Sequence, residues 1–484
     1  MNWETVIGLE THVELATKSK IFCACTTAFG GAPNTHCCPV CTGMPGALPV
    51  LNGKVVEYAV RAALALGCTV TRYSRFDRKN YFYPDLPKAY QISQLYLPIG
   101  RDGAVEAGGR TVGIHELHME EDAGKMVHIG GGEGRIAGAT HSLVDYNRAG
   151  TPLTELVTEP DLRTPEEARL FMQKLRQIYL ALGISDCSME EGSMRCDGNV
   201  SLRRRGAKEF GVKTELKNMN SFKNLHDGLA YEICRQAEVL EEGGQIFQET
   251  RHWDPSAKRT IVMRVKETAD DYRLFPDPDL APYDLTDEWI DSVRAKLPEL
   301  PDQKAARFED AFGLSAYDAR HLVEHRATAD FFEACMELAG ADAAKLAKPV
   351  ANLVINDVTA YLNAHEGVQL ADTPLPPARA LALVRLTAED AISSKQAKEV
   401  FAAVLDEDKD PAAIVEERGM KQVSDTGAIE AVVDAVLAAN PDKVAQYQGG
   451  KTGLIGFFVG QCMKEMRGQG NPKLINELLA KKLG

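Results

Sequence analysis

The chain has 484 residues, too many for one ordinary hydrophobic core, so we expect two to four domains. Hydrophobic residues make up 44% and charged residues 26% of the chain, a composition typical of globular proteins that excludes a largely disordered chain. No apolar run approaches the roughly 20 residues that cross a bilayer. The formal net charge of -14 argues against sequence-independent nucleic-acid binding over the whole surface, so we expect neither a DNA nor a membrane partner.

The amino terminus and the cysteines bear on the cellular compartment. Residues Met1 to Glu4 lack the basic region and apolar segment of a secretion signal, so we expect a cytoplasmic protein. The eleven cysteines should then be reduced, and closely spaced ones become candidates for metal binding before disulfides.

The first predicted strand carries a polar row on one face. Over Thr5–Leu15 the odd positions are mostly apolar, while Glu10, His12 and Glu14 share the other face. Such a row is commonly the wet face of a half-exposed sheet. It can also be the floor of a polar site, so its meaning depends on the rest of the chain.

Two closely spaced cysteine pairs follow. The first pair has the spacing C-x-C and the second, twelve residues later, the spacing C-x2-C, with a Gly/Pro/Asn loop at 30–34 between them. Tight turns can bring four thiolates to one point, as tetrahedral zinc requires, so the spacing predicts a closed structural zinc site. Buried thiols are the alternative, and His36 and Cys37 stay open as further ligands. The predicted zinc ligands are Cys23, Cys25, Cys38 and Cys41.

An aromatic, proline-punctuated loop is predicted over Asn80–Gln91. It is preceded by Lys79 and contains Lys88. Such a loop is too apolar and too rigid for a linker, so we expect it to pack over another part of the structure or over a ligand.

A dense group of acids ends the next strand-like run, Ile114–Lys125. Three consecutive carboxylates, Glu120, Glu121 and Asp122, precede a glycine. Carboxylates this dense repel one another unless a cation lies among them, and hard oxygen ligands favour magnesium. The alternative is an acidic surface turn. The Gly130–Gly134 run that follows predicts a hairpin loop and no phosphate loop, because no strand and helix bracket it.

The stretch Asp145–Leu156 is the centre of the polar pattern. It contains two carboxylates, an amide and a guanidinium on the two sides of a Gly-Thr-Pro segment. At that segment we expect a strand to end and a turn to present the polar side chains. That composition is typical of a phosphate-and-metal site, with a solvated turn as the alternative. A helix should begin after Thr164, because Thr164–Glu167 supplies an N-cap, a first-turn proline and two acids.

Two further strands are predicted over Met194–Arg203 and Val212–Lys217. In both, one face is mostly apolar and the other alternates cations with carboxylates or amides. Polar faces of this kind on several strands indicate an open, cradle-shaped sheet surface. On such a surface, basic side chains would bind phosphates and carboxylates would bind a metal ion.

From about residue 294 the pattern becomes helical. Amphipathic spacing predicts helices over Leu314–Leu338, Pro349–Leu362 and Ser394–Val404, and a charged linker at 406–411 opens a last small helical unit. From Lys443 onward, the chain has seven basic and two acidic residues, which gives this segment a net charge of +5. This local basic surface suits an RNA contact, and a solvated lysine-rich helix is the alternative.

The sequence contains no evident nucleophile for releasing amide nitrogen. Ser393–Lys395 has the order Ser-Ser-Lys found in amidases, but it lies at a helix start without Gly/Ser-rich surroundings. If the protein handles amide nitrogen, we expect a partner protein to supply it.

These residues together give the chain a resemblance to the B subunits of the tRNA-dependent aspartyl/glutamyl amidotransferases, and it runs nearly end to end. So many long motifs in register are not expected by chance. The motifs that carry the resemblance are Ile7–Leu15, Cys38–Cys41, Lys79–Lys88, His118–Lys125, Asp145–Leu153, Glu190–Asp197, Glu215–Phe222 and Asp271–Pro276.

The resemblance implies an α+β fold with three domains. Residues 1–293 would form an antiparallel-sheet cradle that shares its core with glutamine synthetase and carries the zinc knuckle at 23–41. Residues 294–411 would form an all-α domain, and residues 412–484 a small helical tail that contacts tRNA.

The resemblance also implies a reaction and its partners. ATP would phosphorylate the side-chain carboxylate of Glu-tRNA(Gln) or Asp-tRNA(Asn). Ammonia channelled from the amidase (glutaminase) partner, in a complex that also contains a small third protein, would displace the phosphate. Lys79 and Lys88 would line the ammonia path. The sequence does not say which aminoacyl-tRNA is used. The implied magnesium ligands are Glu10, His12, Glu121 and Glu155, and the implied contacts of phosphate or acyl-phosphate are Arg148, Arg195, Asn199 and Lys213.

Two other functions remain as alternatives. A stand-alone glutamine-synthetase-like ligase would act on a small acid with free ammonia, although the basic tail argues against it. A zinc-stabilised tRNA-binding scaffold would carry out no chemistry of its own. The choice of magnesium ligands among Glu120, Glu121 and Asp122 also stays open.

Overall fold

The computed structural model describes residues 2–130, 138–265, 272–365, 367–422, 425–466 and 469–484. Most of the predicted Gly130–Gly134 loop, together with Asp271 and Arg467, lies outside the described residues. The chain forms two compact units, Met1–Leu300 and Pro301–Gly484.

In its described residues, the first unit is built on β-strands joined by long loops and four helices. The helices are α1 Gly53–Ala65, α2 Pro165–Leu182, α3 Phe222–Glu241 and α4 Asp287–Arg294. The strands are β1 Trp3–Glu14, β2 Thr69–Val70, β3 Tyr73–Ser74, β4 Asp77–Asn80, β5 Tyr90–Ser93, β6 Gly100–Ala107, β7 Arg110–Glu121, β8 Lys125–Ile129, β9 His141–Asp145, β10 Pro152–Thr158, β11 Met194–Arg204, β12 Thr214–Lys217, β13 Glu249–Asp254, β14 Arg259–Val265, β15 Phe275–Pro276 and β16 Tyr283–Asp284.

A nine-stranded sheet organises this unit. Its strand order is β14-β13-β12-β11-β1-β10-β7-β6-β2, and neighbouring strands are antiparallel except for the parallel pair β12 and β13. Strand β1 lies at the centre and pairs with β10 on one side and β11 on the other. Smaller sheets form from β15-β4-β5, β16-β3 and β8-β9.

The alternation of β1 separates a buried face of the sheet from a polar face. Ile7, Leu9 and Val13 are at most 1% exposed and belong to the hydrophobic core of the unit. Helix α2 covers this face: the Thr11 hydroxyl lies 3.3 Å from the sulfur of Met172. The predicted first strand is confirmed, and its polar row faces away from the helices.

The predicted start of α2 is also confirmed. The Thr164 side chain accepts a hydrogen bond from the Glu167 backbone N–H, Pro165 is the first helical residue, and Gly183 ends the helix in the left-handed conformation. Phe171 and Leu175 are among the buried residues on the face of the helix that packs against the sheet.

The second unit is helical. Its hydrophobic residues form one cluster between Ala305 and Met420 and another between Ile429 and Leu483. A π-helix, Leu353–Val358, joins α8 to α9. The helices are α5 Pro301–Phe312, α6 Ala316–Leu322, α7 Arg326–Ala339, α8 Ala343–Asn352, α9 Thr359–Ala364, α10 Pro377–Ala388, α11 Ser394–Glu407, α12 Pro411–Glu417, α13 Thr426–Ala438, α14 Pro441–Gln448, α15 Ile455–Glu465 and α16 Pro472–Leu483.

The α+β class predicted from the sequence is confirmed. The domain limits at 293–294 and 411–412 stay predictions; the first cluster of the helical unit includes Ile414, Val415 and Met420, which lie past the second limit. In the described ranges, no helix combines the length and the apolar character needed to span a membrane.

Candidate functional site

The polar face of the central strands brings several predicted site residues together. His12 lies opposite Glu155 on β10 and opposite Arg195 on β11. Glu10, two residues earlier and on the same face, lies opposite Val157 and Asp197. Four of the predicted site residues therefore converge on the face of the sheet that the helices leave open.

A group of His12, Glu120 and Glu155 could hold a cation at this face. One ligand atom from each lies within 4.8 Å of the others. His12 Nε2 is 3.4 Å from Glu155 Oε2 and 3.8 Å from Glu120 Oε1. Glu120 is only 2% exposed, and its Oε2 has no hydrogen-bond partner in the described part of the chain. A buried carboxylate with an unsatisfied oxygen is costly, so these residues fit a bound metal ion.

A second histidine, His118, supports the group from β7. Its Nε2 lies 2.9 Å from Glu155 Oε2. Burial opposes the charged form of His118, but Glu155 and Glu120 outweigh it and raise its pKa to about 9. Burial likewise opposes ionisation of Glu155, yet the two histidines hold the pKa of that carboxyl well below its usual range. Glu155 is therefore ionised and oriented.

The structure does not bring Glu121 into this group. The Lys88 ammonium pairs with both carboxylate oxygens of Glu121, 2.5 Å from Oε2, and the Ile92 N–H donates to Glu121 as well. Glu10, the other implied magnesium ligand, lies two residues from His12 and accepts a hydrogen bond of 2.9 Å from Asn199 Nδ2. Glu10 therefore shares the polar face but lies outside the three-residue group, and Glu121 is engaged by Lys88 instead.

Arg195 and Arg148 meet at Asp122. Arg195 Nη2 lies 2.6 Å from Asp122 Oδ2, and Arg148 Nε lies 3.7 Å from the same oxygen while donating to the Ala123 carbonyl. Burial raises the pKa of Asp122, but the two guanidinium groups outweigh it, so the net direction is downward. Burial and the neighbouring Asp122 carboxylate raise the pKa of Glu14 to about 8. The two arginines are thus oriented by an acid that the sequence reasoning left unassigned.

Lys79 and Lys213 lack such partners. Within the described residues, neither ammonium lies within ion-pair distance of a carboxylate. Lys79 stacks over the ring of Tyr272 at 5.3 Å. Burial opposes its charged form, but Glu120 and Glu155 outweigh burial and raise the pKa of Lys79. Since neither lysine has a carboxylate partner in the described part of the chain, both are available to an anionic ligand.

A further ion pair lies on the neighbouring strands. Lys217 Nζ is 2.5 Å from Asp197 Oδ2 and 3.3 Å from Glu215 Oε1. Asp197 and Lys217 were part of the predicted polar faces, but only the pairing of β11 with β12 shows that they neutralise each other.

The four predicted cysteines converge on one point. The sulfur atoms of this group lie within 4.8 Å of one another, and all eleven cysteines of the chain are free thiols. Cys37 points elsewhere, with its sulfur 3.8 Å from Asn147 Oδ1. The group that could hold a metal ion is Cys23, Cys25, Cys38 and Cys41.

A buried lysine supplies positive charge to this knuckle. Lys20 is fully buried, lies 3.6 Å from Cys41 Sγ and donates to the carbonyls of His36 and Tyr146. A hydrogen bond from Cys23 is the largest of the effects that lower the pKa of Cys41 to about 4; the Cys38 N–H and Lys20 act in the same direction against burial. A sulfur that accepts several donors is suited to bind a metal as thiolate.

The knuckle loop is attached to the turn that follows β9. The Asn34 N–H donates to Asp145 Oδ1 at 2.9 Å, and the Tyr146 N–H donates to Asn34 Oδ1 at 2.8 Å. Asn147 accepts from the His36 N–H and donates to the Ala32 carbonyl. In this turn, the polar residues before Arg148 therefore hold the knuckle.

Two family models match the chain over most of its length. The one described as the GatB/GatE catalytic domain matches residues 5–291, and the one described as the GatB domain matches residues 330–483. The chain belongs to the B-subunit family of aspartyl/glutamyl-tRNA amidotransferases. The resemblance seen in the sequence is confirmed.

Individual members of this family match the chain from end to end. The B subunit of the aspartyl/glutamyl-tRNA(Asn/Gln) amidotransferase of Carboxydothermus hydrogenoformans is 54% identical, covering 99% of both chains. That of Geotalea uraniireducens is 53% identical over 100% of both chains, and that of Picosynechococcus is 51% identical over 99% of this chain and 98% of its own.

Besides Asp122, two residues of the site are not assigned from the sequence: Glu120 is left open among three acids, and His118 is given no role. A signal for both was present, because the apolar Leu117 and Met119 alternate with them along β7. Residues of equal parity share a face, so His118 and Glu120 point together toward the polar side. Glu121 has the other parity and pairs with Lys88.

Proposed function

We propose that the polar face around His12, Glu120 and Glu155 is a phosphoryl-transfer site for a tRNA-bound carboxylate. As a member of its family, the chain is a subunit of a tRNA-dependent amidotransferase, an ATP-dependent ligase that uses glutamine as amido donor. The proposal rests above all on the buried, partly unsatisfied Glu120 carboxylate beside Glu155 and His12.

In this proposal His12, Glu120 and Glu155 hold magnesium, with Glu10 beside them. Magnesium bound there would neutralise charge on the phosphates of ATP. Lys213 and the two arginines supply further positive charge, and Asp122 fixes the direction of both guanidinium groups. The protein thus orients charged groups in advance of the reaction, which is the main way a protein promotes phosphoryl transfer.

The substrate in this proposal is Glu-tRNA(Gln), Asp-tRNA(Asn) or both. A side-chain carboxylate oxygen bonds to the γ-phosphorus of ATP while the bond to ADP breaks. Ammonia then bonds to the acyl carbon, loses a proton and displaces inorganic phosphate, leaving the amide. The amidase partner in the same complex supplies the ammonia from glutamine, the small third protein completes the complex, and Lys79 and Lys88 line the ammonia path.

The remaining parts of the chain have supporting roles. The four-cysteine group binds structural zinc, since four converging thiols form a closed tetrahedral site. The basic end of the second unit contacts tRNA, since Lys451 is exposed there and the segment from Lys443 onward carries a net positive charge. The cradle shares its core with glutamine synthetase, and the complex works in the cytoplasm.

The test replaces Glu155 by glutamine in the assembled complex. We expect tRNA binding to persist and tRNA-dependent ATP hydrolysis to fall at least about a hundredfold, because a charged metal ligand is lost. Glu159→Gln is the matched control, since Glu159 is 47% exposed and pairs with His115 away from the metal group. Unchanged ATP hydrolysis in Glu155→Gln would leave the chain as a tRNA-binding scaffold and refute the proposal.

A further inference from the structure

A cavity of about 470 Å³ lies within the helical second unit. It opens between the π-helix Leu353–Val358 and α11, and its floor is α10, which packs against both α8 and α11. This volume falls within the roughly 300–1,000 Å³ that is usual for small-molecule sites. None of the residues that line the cavity takes part in the proposed phosphoryl transfer.

The π-helix forms one wall of the cavity, where the regular helix is interrupted. Pro349, inside α8, has no N–H to donate to the preceding turn. In the wider turn that follows, the hydroxyl of Thr359 donates to the carbonyl of Val354 at 2.9 Å. Single π-helical turns of this kind are frequent at functional sites. Here the turn places Asn356 and Asp357 on the wall of the cavity.

Two opposite charges line the cavity without pairing with each other. The half-buried Asp357 carboxylate has neither a hydrogen-bond donor nor a cation within ion-pair distance in the described part of the chain. Lys398 of α11 is exposed and lines the same cavity. Burial raises the pKa of Asp357 and outweighs the opposing effect of Lys398. An incoming ammonium group would stabilise this partly desolvated carboxylate, and Lys398 is available to a ligand carboxylate.

Two asparagines add carboxamide groups to the wall. Asn356 Nδ2 donates to the backbone carbonyl of Asn352 at 3.0 Å, so its Oδ1 remains an open acceptor among the described residues. A carboxamide is both donor and acceptor, so these side chains can pair with a carboxamide of a ligand. Leu383 and Val384, at most 5% exposed, give the floor an apolar surface between the polar groups.

From this arrangement we infer that the cavity binds a free α-amino acid with a carboxamide side chain, glutamine or asparagine. Asp357 accepts from the α-ammonium group, Lys398 pairs with the α-carboxylate, and the two asparagines bind the side-chain amide. A polyanionic ligand would be repelled by Asp357, and a simple cation would leave Lys398 unpaired, whereas a zwitterion matches both charges.

The inference goes beyond the proposed function, because it concerns no step of phosphoryl transfer. Glutamine is the amido donor of this family's reaction. The second unit would therefore bind the donor amino acid, or its shorter homologue, apart from the partner that releases ammonia from it.

Calorimetric titration of the full chain with L-glutamine and L-asparagine tests the inference. The chain is used without its amidase partner, because the partner's own glutamine site would contribute heat. We expect saturable binding of at least one of the two amides at one site per chain. L-Leucine and L-glutamate, which lack the carboxamide, should bind at least about tenfold more weakly.

Asp357→Asn should weaken binding of the amide at least about tenfold, because a charge-assisted hydrogen bond is lost. Thermal unfolding without ligand should not occur earlier, since the carboxylate has no protein partner in the described ranges to lose. Lys398→Ala should also weaken binding. The matched controls are Asp372→Asn and Lys395→Ala, which change exposed residues of the same unit that do not line the cavity and should bind as wild type.

Glutaramate separates the loss of one contact from a general disturbance. It is glutamine without the α-ammonium group, so it should bind at least about tenfold more weakly than glutamine, and Asp357→Asn should not weaken it further.

Three outcomes would overturn the inference. Neither amide could bind to the full chain, or L-leucine could bind as tightly as the amides. Asp357→Asn could instead leave amino-acid binding unchanged and weaken tRNA binding, which would assign the cavity to RNA.

Discussion

Glu120→Gln should remove most of the stabilisation that magnesium gives to the first unit, whereas Glu121→Gln should leave it intact. Glu120 is 2% exposed, belongs to the three-residue group and has an oxygen without a hydrogen-bond partner in the described part of the chain. Glu121, one residue further, is already neutralised by Lys88. The neighbouring pair therefore separates the proposed metal ligand, Glu120, from an ion-pair partner, Glu121.

The expected size follows from the binding equilibrium. At magnesium about a hundredfold above its dissociation constant, binding stabilises the folded chain by about 2.7 kcal/mol. Loss of one of three protein ligands should weaken binding roughly a hundredfold, and the same magnesium concentration then contributes only about 0.4 kcal/mol. Glu121→Gln should instead lower stability with and without magnesium, because it leaves the nearly buried Lys88 ammonium without its partner.

The assay is calorimetric unfolding of the full chain with and without magnesium, together with direct titration of the metal. Glu120→Gln should lose the magnesium-dependent shift of the transition, and Glu121→Gln should keep the shift from a lower starting temperature. The opposite result, with the shift lost only in Glu121→Gln, would refute the reasoning from strand parity and would return the metal to Glu121.

Three further predictions concern other parts of the chain. Metal analysis should find about one zinc per chain; Cys41→Ser should lose it and Cys37→Ser should keep it, because the Cys37 sulfur contacts Asn147 instead. Replacing Lys451, Lys464 and Lys481 together by alanine should weaken tRNA binding and reduce its salt dependence, whereas Lys482→Ala, whose ammonium already pairs with Glu430 and Asp434, should do neither. Burial raises the pKa of Asp318, but Lys348 and Ser315 outweigh burial and lower that pKa below 3.8 in the folded chain. The ionised Asp318 therefore stabilises the fold fully above pH 3.8, and this stabilisation is lost as the pH falls through the lower pKa of the folded state. The destabilisation by Asp318→Asn in thermal unfolding should accordingly shrink in acid.

Local patterns were sufficient for much of the fold. The alternation of β1, the N-cap of α2 and the cysteine spacing each predict a feature from residues close together in the chain, and the structure contains all three. Ser393 is a similar case: its side chain and that of Gln396 form a capping box, the ordinary role of a serine at a helix start. Each of these features depends on residues that are close together in the chain, which is why the sequence alone predicts it.

Contacts between distant segments could not be read in the same way. Arg195 and Asp122 are 73 residues apart, and their ion pair exists only because β11, β1, β10 and β7 lie side by side. The Lys88 partner of Glu121 comes from a loop whose path the sequence does not specify. Without these pairings, strand parity is the one guide among the three acids, and it separates Glu121 from Glu120 and Asp122.

The turn between β9 and β10 connects these parts of the site. Its backbone polar groups need partners. Gly150 and Thr151 obtain them from the main chain of Asp122, and the Tyr146 N–H donates to Asn34 of the knuckle loop. Gly150 has a positive φ of 82°, and a Cβ there would lie 3.4 Å from that of Cys41, so the knuckle packs directly on the turn. Arg148 lies in the turn and Glu155 follows it on β10, hence the knuckle loop fixes the backbone from which the proposed phosphate contact and the proposed metal ligand project. That arrangement explains how the four-cysteine group at 23–41 and the proposed site around Arg148 and Glu155 become neighbours although they lie far apart in the sequence.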